Sequence, residues 1–105
     1  MHAFILASLL AAFVPSPETC SAQYPTQYNA GREVGFAYAA GQLGAPVDCD
    51  TVAATADTLT AYANRTIAIA RLKPPVSACT YFGVGEAILE AVDLALVQCQ
   101  GSMDR

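Results

Sequence analysis

The stretch TVAATADTLTAYANRTIAIARL, residues 51–72, decides the fold of this 105-residue chain, because its apolar side chains recur at steps of three and four. Those side chains are Val52, Ala56, Leu59, Ala63, Ile67 and Ala70. Such spacing places them on one face of an amphipathic helix. Asp48 or Asp50 can cap the start of this helix, and Arg71 and Lys73 supply the positive charge that a helix C-terminus favours. The stretch therefore predicts a long helix with one buried face.

Two further helices flank this stretch, and no segment has the alternating pattern of a strand. After an extended lead-in at residues 23–29, Thr26 or Asn29 caps the first helix, which ends in glycine and proline at residues 44–46. A Lys-Pro-Pro sequence precedes the third helix, for which Ser77 is the predicted cap. The helices are predicted to end at about Leu43, Leu72 and Cys99. The fold class is all-α: a small antiparallel bundle of three helices, or four, stapled by disulfides.

The N-terminal segment has the character of a secretory signal. The run from Ala3 to Val14 is uncharged and apolar, and Pro15 and Pro17 break it. At about 12 residues it is shorter than the roughly 20 that a membrane span requires, but it suits the apolar core of a signal peptide. We therefore predict a signal peptide at residues 1–22, a helical domain at residues 23–105, and a periplasmic or secreted protein. A buried N-terminal helix and a wrongly assigned start codon are the alternatives.

The cleavage site is open between about residues 16 and 22. Cys20-Ser21-Ala22 is the better small-x-small match and would place the cut before Gln23. That cut would discard Cys20 and leave three cysteines. Val14-Pro15-Ser16 is a weaker match that keeps Cys20 but places Pro17 directly after the cut.

Four cysteines in a short exported chain predict a disulfide framework. Cys79 and Cys99 would lie at opposite ends of one helix, about 30 Å apart, whereas a disulfide requires Cα atoms within about 7 Å. Cys49 and Cys79 are separated in the same way by the second helix. Antiparallel helices therefore predict the pairs Cys49–Cys99 and Cys20–Cys79.

No catalytic, cofactor-binding or metal-binding residues are predicted, and we expect that the protein is not an enzyme. The only histidine, His2, lies in the predicted signal, which excludes a nucleophile paired with histidine in the mature chain. The cysteine spacing contains no C-x-x-C and does not match a zinc site.

Two surface patterns stand out. Glu86, Glu90 and Asp93 follow one another at helical spacing, and we call them the acidic stripe. It is either a cation site, a docking face for a basic partner, or a solvated face of an otherwise apolar helix.

Gly31 and Gly35, continued by Ala39, form a small-residue stripe that predicts close packing against the alanine-rich second helix. Gly83-Val84-Gly85 is predicted to loosen the start of the third helix.

Charge limits the partners. The formal net charge is −4, and the five basic residues are spread along the sequence without a cluster. Nucleic-acid binding and attraction to anionic membranes are therefore not expected, nor is a stable membrane span. A protein partner with a basic surface is electrostatically compatible.

The chain resembles the small periplasmic immunity proteins that protect bacteria against type VI secretion effectors. The resemblance rests on the export signal, the helical content, GFAYAAG at residues 35–41, Cys49, Pro74 and a final helix ending in Cys99. The family pattern would place prolines close after the first of these cysteines and directly before the last. Here Asp50 and Gln98 stand at those positions.

This resemblance implies a protein that binds and blocks an effector enzyme, without locating the binding residues. The resulting hypothesis is an exported helical binding protein of the cell envelope, either an immunity protein or another inhibitor. The alternative hypothesis is a structural or chaperone-like periplasmic protein without a single dedicated partner.

Overall fold

The computed structural model describes residues 16–44 and 48–103, and within them every regular element is a helix. The helices are α1 (Pro17–Gln23), α2 (Pro25–Leu43), α3 (Cys49–Ala70) and α4 (Pro75–Met103). The all-α prediction is confirmed, with one short helix and three long ones. The predicted signal core, residues 3–14, lies outside the described residues, and residues 17–22, where cleavage is predicted, form most of α1.

Local caps explain where the first two helices begin and end. Ser16 caps α1, because its hydroxyl accepts a hydrogen bond from the Thr19 amide at 3.2 Å. Pro25 begins α2, where a proline loses no hydrogen bond because the first amides of a helix have no partner. Gly44 ends α2 as predicted, with a φ of 88° that favours glycine. The predicted extended lead-in at residues 23–29 is therefore wrong: two proline-initiated helices meet there at Tyr24.

The last two helices follow the same rules. Asp48 caps α3, since its carboxylate accepts hydrogen bonds from the Asp50 amide at 3.1 Å and the Thr51 hydroxyl at 2.9 Å. These bonds, with the Thr51 hydroxyl contributing most, lower the pKa of Asp48. α4 begins at Pro75, so Ser77 lies within its first turn and is not the cap. The helix also continues past Cys99 to Met103.

α4 is the central helix, and α2 and α3 pack on either side of it. Tyr28 contacts Glu86 and Arg32 contacts Glu90, and both pairs are 58 residues apart in sequence. A constant difference in residue number means that α2 and α4 run parallel. Cys49 pairs with Cys99 at the other end of the bundle, so α3 runs antiparallel to both. The helices therefore alternate in direction as predicted.

Both cysteine pairs lie at disulfide distance in the predicted combination. The Cα atoms are 5.3 Å apart for Cys20–Cys79 and 5.6 Å apart for Cys49–Cys99. Cys20 and Cys79 are completely buried, whereas Cys49 is exposed at the start of α3. Two such bonds indicate an oxidising, non-cytoplasmic environment.

The buried face of α3 is the predicted one. Val52, Leu59 and Ala63 are buried in the larger core cluster, against Ile88 and Val92 of α4. A smaller cluster, at the end of the bundle where α1 packs, consists of Cys20, Tyr28, Ala70, Ala78, Cys79 and Phe82. The Cys20–Cys79 bond therefore anchors α1 over apolar side chains of α3 and α4.

The small-residue stripe has a different partner from the predicted one. A methyl group at Gly31 would overlap the carbonyl oxygen of Thr80, and one at Gly35 would lie 2.9 Å from the side chain of Ala87. Gly83, across the interface, is buried against the backbone of α2. The stripe thus packs on α4, not on the second predicted helix. Gly83 does not loosen α4, because the absence of a side chain at this position allows the backbones of α2 and α4 to come into contact.

Candidate functional site

The acidic stripe lies where α4 faces α2, and it borders a groove of about 370 Å³. We call this the acidic groove; it is lined by Arg32, Glu86, Leu89, Glu90, Asp93 and Leu94. All three carboxylates of the stripe therefore share one concave surface. Arg32 is the only lining residue with a positive charge, so the groove carries a formal excess of two negative charges.

Glu86, at one end of the groove, is engaged by α2. The Tyr28 hydroxyl donates a hydrogen bond of 2.5 Å to a Glu86 carboxylate oxygen. Burial is the main cause that raises the pKa of Tyr28, and the hydrogen bond and negative charge of Glu86 raise it further. The phenol therefore keeps its proton, and the Glu86 carboxylate is held against the helix interface.

Glu90 is paired one turn further along both helices. The Arg32 guanidinium lies 2.6 Å from a Glu90 carboxylate oxygen, and this hydrogen bond is the main cause that raises the pKa of Arg32. The guanidinium carbon is 5.1 Å from the ring centroid of Phe36 and 5.9 Å from that of Tyr28. The pair is partly exposed and contributes about 0–1 kcal/mol to stability, but it fixes where the positive charge sits.

Asp93 differs from the other two members of the stripe. It is exposed, and within residues 16–44 and 48–103 it makes no hydrogen bond or ion pair. Leu94 beside it is 56% exposed. Asp93 is therefore the carboxylate most available to an external positive charge, next to an apolar side chain that a partner could cover.

No protein-family model, curated protein or solved structure matches this chain.

The described part of the chain contains neither a cluster of metal ligands nor a membrane-spanning helix. No three side chains of the histidine, cysteine, aspartate or glutamate type converge there as they would around a metal ion. None of the described helices is both long and apolar enough to cross a bilayer.

The sequence does not predict the two α2 residues that contact the acidic stripe, Tyr28 and Arg32, as part of the site. Their i, i+4 spacing matches that of Glu86 and Glu90, which is the one sequence signal that could have linked them. The five tyrosines do not form one surface: Tyr28 is buried, whereas Tyr38 and Tyr62 stack across α2 and α3 with ring centroids 5.1 Å apart.

Proposed function

We propose that this protein is an exported binding protein of the cell envelope, whose acidic groove docks a protein partner with a basic surface. The observation that carries this proposal is the charge of the groove, which is lined by three carboxylates and one guanidinium beside the exposed Leu94. An interface of this kind attracts a cationic partner and then excludes water through its apolar contact.

Export is supported by the two disulfides and by the N-terminal apolar run. A cut before Gln23 would remove Cys20, leaving the buried Cys79 unpaired and uncovering the smaller core cluster. We therefore place the cut ahead of Cys20, in a periplasmic or secreted protein. N-terminal sequencing of protein from its native host should find a start upstream of Cys20. A start at Met1 would contradict export, and a start at Gln23 would contradict retention of the disulfide.

The role that fits best is that of an inhibitor, such as an immunity protein that blocks an effector enzyme. The scaffold is compatible with this role, because helices linked by two disulfides present a preorganised surface and lose little conformational entropy on binding. The resemblance to periplasmic immunity proteins implies the same role. A chaperone-like envelope protein is the second candidate, favoured by exposed apolar side chains such as Leu94 and Val97, of which 56% and 64% are accessible.

The docking hypothesis is tested by reversing a charge that supports no internal contact. Asp93→Lys changes the groove from a formal excess of two negative charges to none, without breaking the Tyr28–Glu86 or Arg32–Glu90 contact. Asp57→Lys is the matched control, since Asp57 is exposed on α3 and does not line the groove. The partner is captured from periplasmic extract of the host, and its association rate is measured at low and high salt.

We expect Asp93→Lys to slow association by about tenfold at low salt and to flatten the salt dependence, because steering depends on complementary charge. Asp57→Lys should behave nearly like the parent protein. Equal effects of the two variants would mean that only the net charge matters, and the acidic groove would then not be the docking site. Capture of many unfolded clients instead of one stoichiometric partner would favour the chaperone-like role.

A further inference from the structure

The two disulfides differ in how far solvent reaches them. Cys20 and Cys79 are both 0% exposed, and both lie inside the smaller core cluster. Cys49, the first residue of α3, is exposed, whereas its partner Cys99 is only 8% exposed. A thiol in solution can therefore reach the Cys49–Cys99 bond in the folded protein, but it reaches Cys20–Cys79 only when that end of the bundle opens.

The exposure also decides which sulfur is attacked. Thiol–disulfide exchange requires that the attacking thiolate touch one sulfur from the side opposite the leaving sulfur. Cys99 belongs to the larger core cluster, together with Val52 and Ala95, so its sulfur is approached from the protein interior. The Cys49 sulfur is approached from solvent. Attack at Cys49 therefore forms a mixed disulfide there and releases Cys99 as the thiolate.

Two carboxylates flank the open sulfur. Asp48 and Asp50 stand on either side of Cys49, and both are exposed. The hydrogen bond from the Thr51 hydroxyl is the main cause that lowers the pKa of Asp48, so this carboxylate is ionised at neutral pH. An approaching thiolate, itself an anion, therefore meets two negative charges beside the sulfur that it attacks.

The neighbouring parts of the bundle do not compensate these charges. Residues 37–44 at the end of α2 and residues 94–103 at the end of α4 contain no charged side chain. Along α3, the first basic residue after Cys49 is Arg65, about 24 Å away along the helix axis. The charge around Cys49 thus disfavours an anionic thiol and tolerates one that carries a positive group.

We propose that Cys49–Cys99 is a thiol–disulfide exchange site of the folded protein, whose reductant is a protein dithiol with a neutral or basic surface around its reactive sulfur. Its first thiolate bonds to the Cys49 sulfur while the Cys49–Cys99 bond breaks, and Cys99 leaves with the electron pair and takes a proton from water. The second thiol of the reductant then displaces Cys49. The dithiol is oxidised to a disulfide, and the two cysteines of this chain are reduced.

Exchange at this site changes one attachment of the bundle and leaves the others. The bond joins the start of α3 to α4, while Cys20–Cys79 continues to hold α1. The acidic groove is lined by residues of α2 and α4. Reduction of Cys49–Cys99 would therefore release the start of α3 without altering the groove, so this inference does not depend on what the groove binds.

Native-state reduction tests the site directly. The oxidised protein is incubated with 2-mercaptoethanol in the absence of denaturant, quenched with acid and alkylated, and the cysteine peptides are mapped. We expect the first adduct at Cys49 with alkylated Cys99, and opening of Cys20–Cys79 that is roughly 100-fold slower because it requires local unfolding. Equal rates for the two bonds, or a first adduct at Cys99, would overturn the proposal.

A series of thiols tests the selection by charge. Cysteamine, 2-mercaptoethanol and 2-mercaptoethanesulfonate attack as thiolates with no net charge, one negative charge and two negative charges, respectively. Their rates at low salt are compared in the parent protein and in Asp48→Asn/Asp50→Asn, which retains a capping side chain. Asp57→Asn/Glu33→Gln is the matched control, because both residues are exposed, neither flanks Cys49, and the net charge changes equally.

Each unit of charge on the thiolate should count about threefold, so Asp48→Asn/Asp50→Asn should accelerate the sulfonate about ninefold and 2-mercaptoethanol about threefold, and leave cysteamine nearly unchanged. The control variant should change each rate less than twofold, because its charges lie further from Cys49. The same acceleration for all three thiols, or the same pattern in both variants, would refute selection by Asp48 and Asp50.

Discussion

Replacing Gly83 by alanine should separate α2 from α4, although alanine is the better helix former. A methyl group at Gly83 would overlap the carbonyl oxygen of Tyr28 and lie 2.9 Å from the Arg32 amide nitrogen. Both are backbone atoms of α2, so no side chain can rotate away and the helices themselves must move. Overpacking of this kind costs about 1–3 kcal/mol, and backbone obstacles place Gly83→Ala near the upper end.

The gain in helix propensity offsets part of this cost. Alanine is favoured over glycine in a helix interior by about 1 kcal/mol, so the expected net loss for Gly83→Ala is about 2 kcal/mol. Gly41→Ala is the matched control, because Gly41 lies in α2 with no atom within 4 Å of the position of a new methyl group. At Gly41 only the difference in helix propensity between alanine and glycine acts, so Gly41→Ala should raise the free energy of unfolding by about 0.5–1 kcal/mol. The same substitution should therefore have opposite signs at the two sites.

Urea unfolding of the oxidised proteins, followed by circular dichroism, measures both values. The loss for Gly83→Ala corresponds to a fall in Tm of roughly 8–16 °C for a domain of this size. The slope of the free energy against urea should stay unchanged, so that the midpoints alone report stability. If Gly83→Ala is as stable as Gly41→Ala, the close approach of α2 and α4 is wrong, and with it the geometry of the acidic groove.

Two further predictions concern the bonds across the bundle. Cys49→Ser and Cys99→Ser should each destabilise the protein by about 4 kcal/mol, because the disulfide closes a loop of about 50 residues in the unfolded chain. The double variant should be hardly worse than either single one in the same urea titration; additive losses would show that the two cysteines do not act as a pair. The raised pKa of Tyr28 means that its neutral form stabilises the fold fully below the ordinary tyrosine pKa of 10.0, and that this contribution is lost as pH rises through the folded-state pKa. Tyr28→Phe should therefore lose less stability than the parent protein as the pH rises through and above 10.0, and parallel pH profiles of the two proteins would contradict the Tyr28–Glu86 contact.

Much of the architecture follows from local patterns in the sequence. The spacing of Val52, Leu59 and Ala63 defines the buried face of α3, because a helix has a fixed period and its burial can be read from one segment. Helix direction then limits the disulfide pairing, since covalent geometry allows only short Cα distances. Gly44 was predicted as a helix boundary, and Asp48 was one of two predicted caps with Asp50, because capping depends on a few adjacent residues.

Errors in the boundaries arose where prolines were taken only as helix breakers. Pro17, Pro25 and Pro75 each begin a helix, because the first amides of a helix need no partner within it. Apart from Tyr24, the lead-in expected at residues 23–29 is helical for this reason. The extent of α4 was underestimated at both ends.

The sequence by itself determined the helical class, the face of α3 that is buried and the combination of cysteines that can pair, because each depends on helix period, capping or covalent reach. Only the tertiary structure decided which helix packs against the small-residue stripe and which side chains contact the acidic stripe. Gly31 fits against α4, and Arg32 reaches Glu90, across pairs of residues that are far apart in sequence. Such contacts depend on how whole helices are placed relative to one another, and no local period or propensity in the chain encodes that placement.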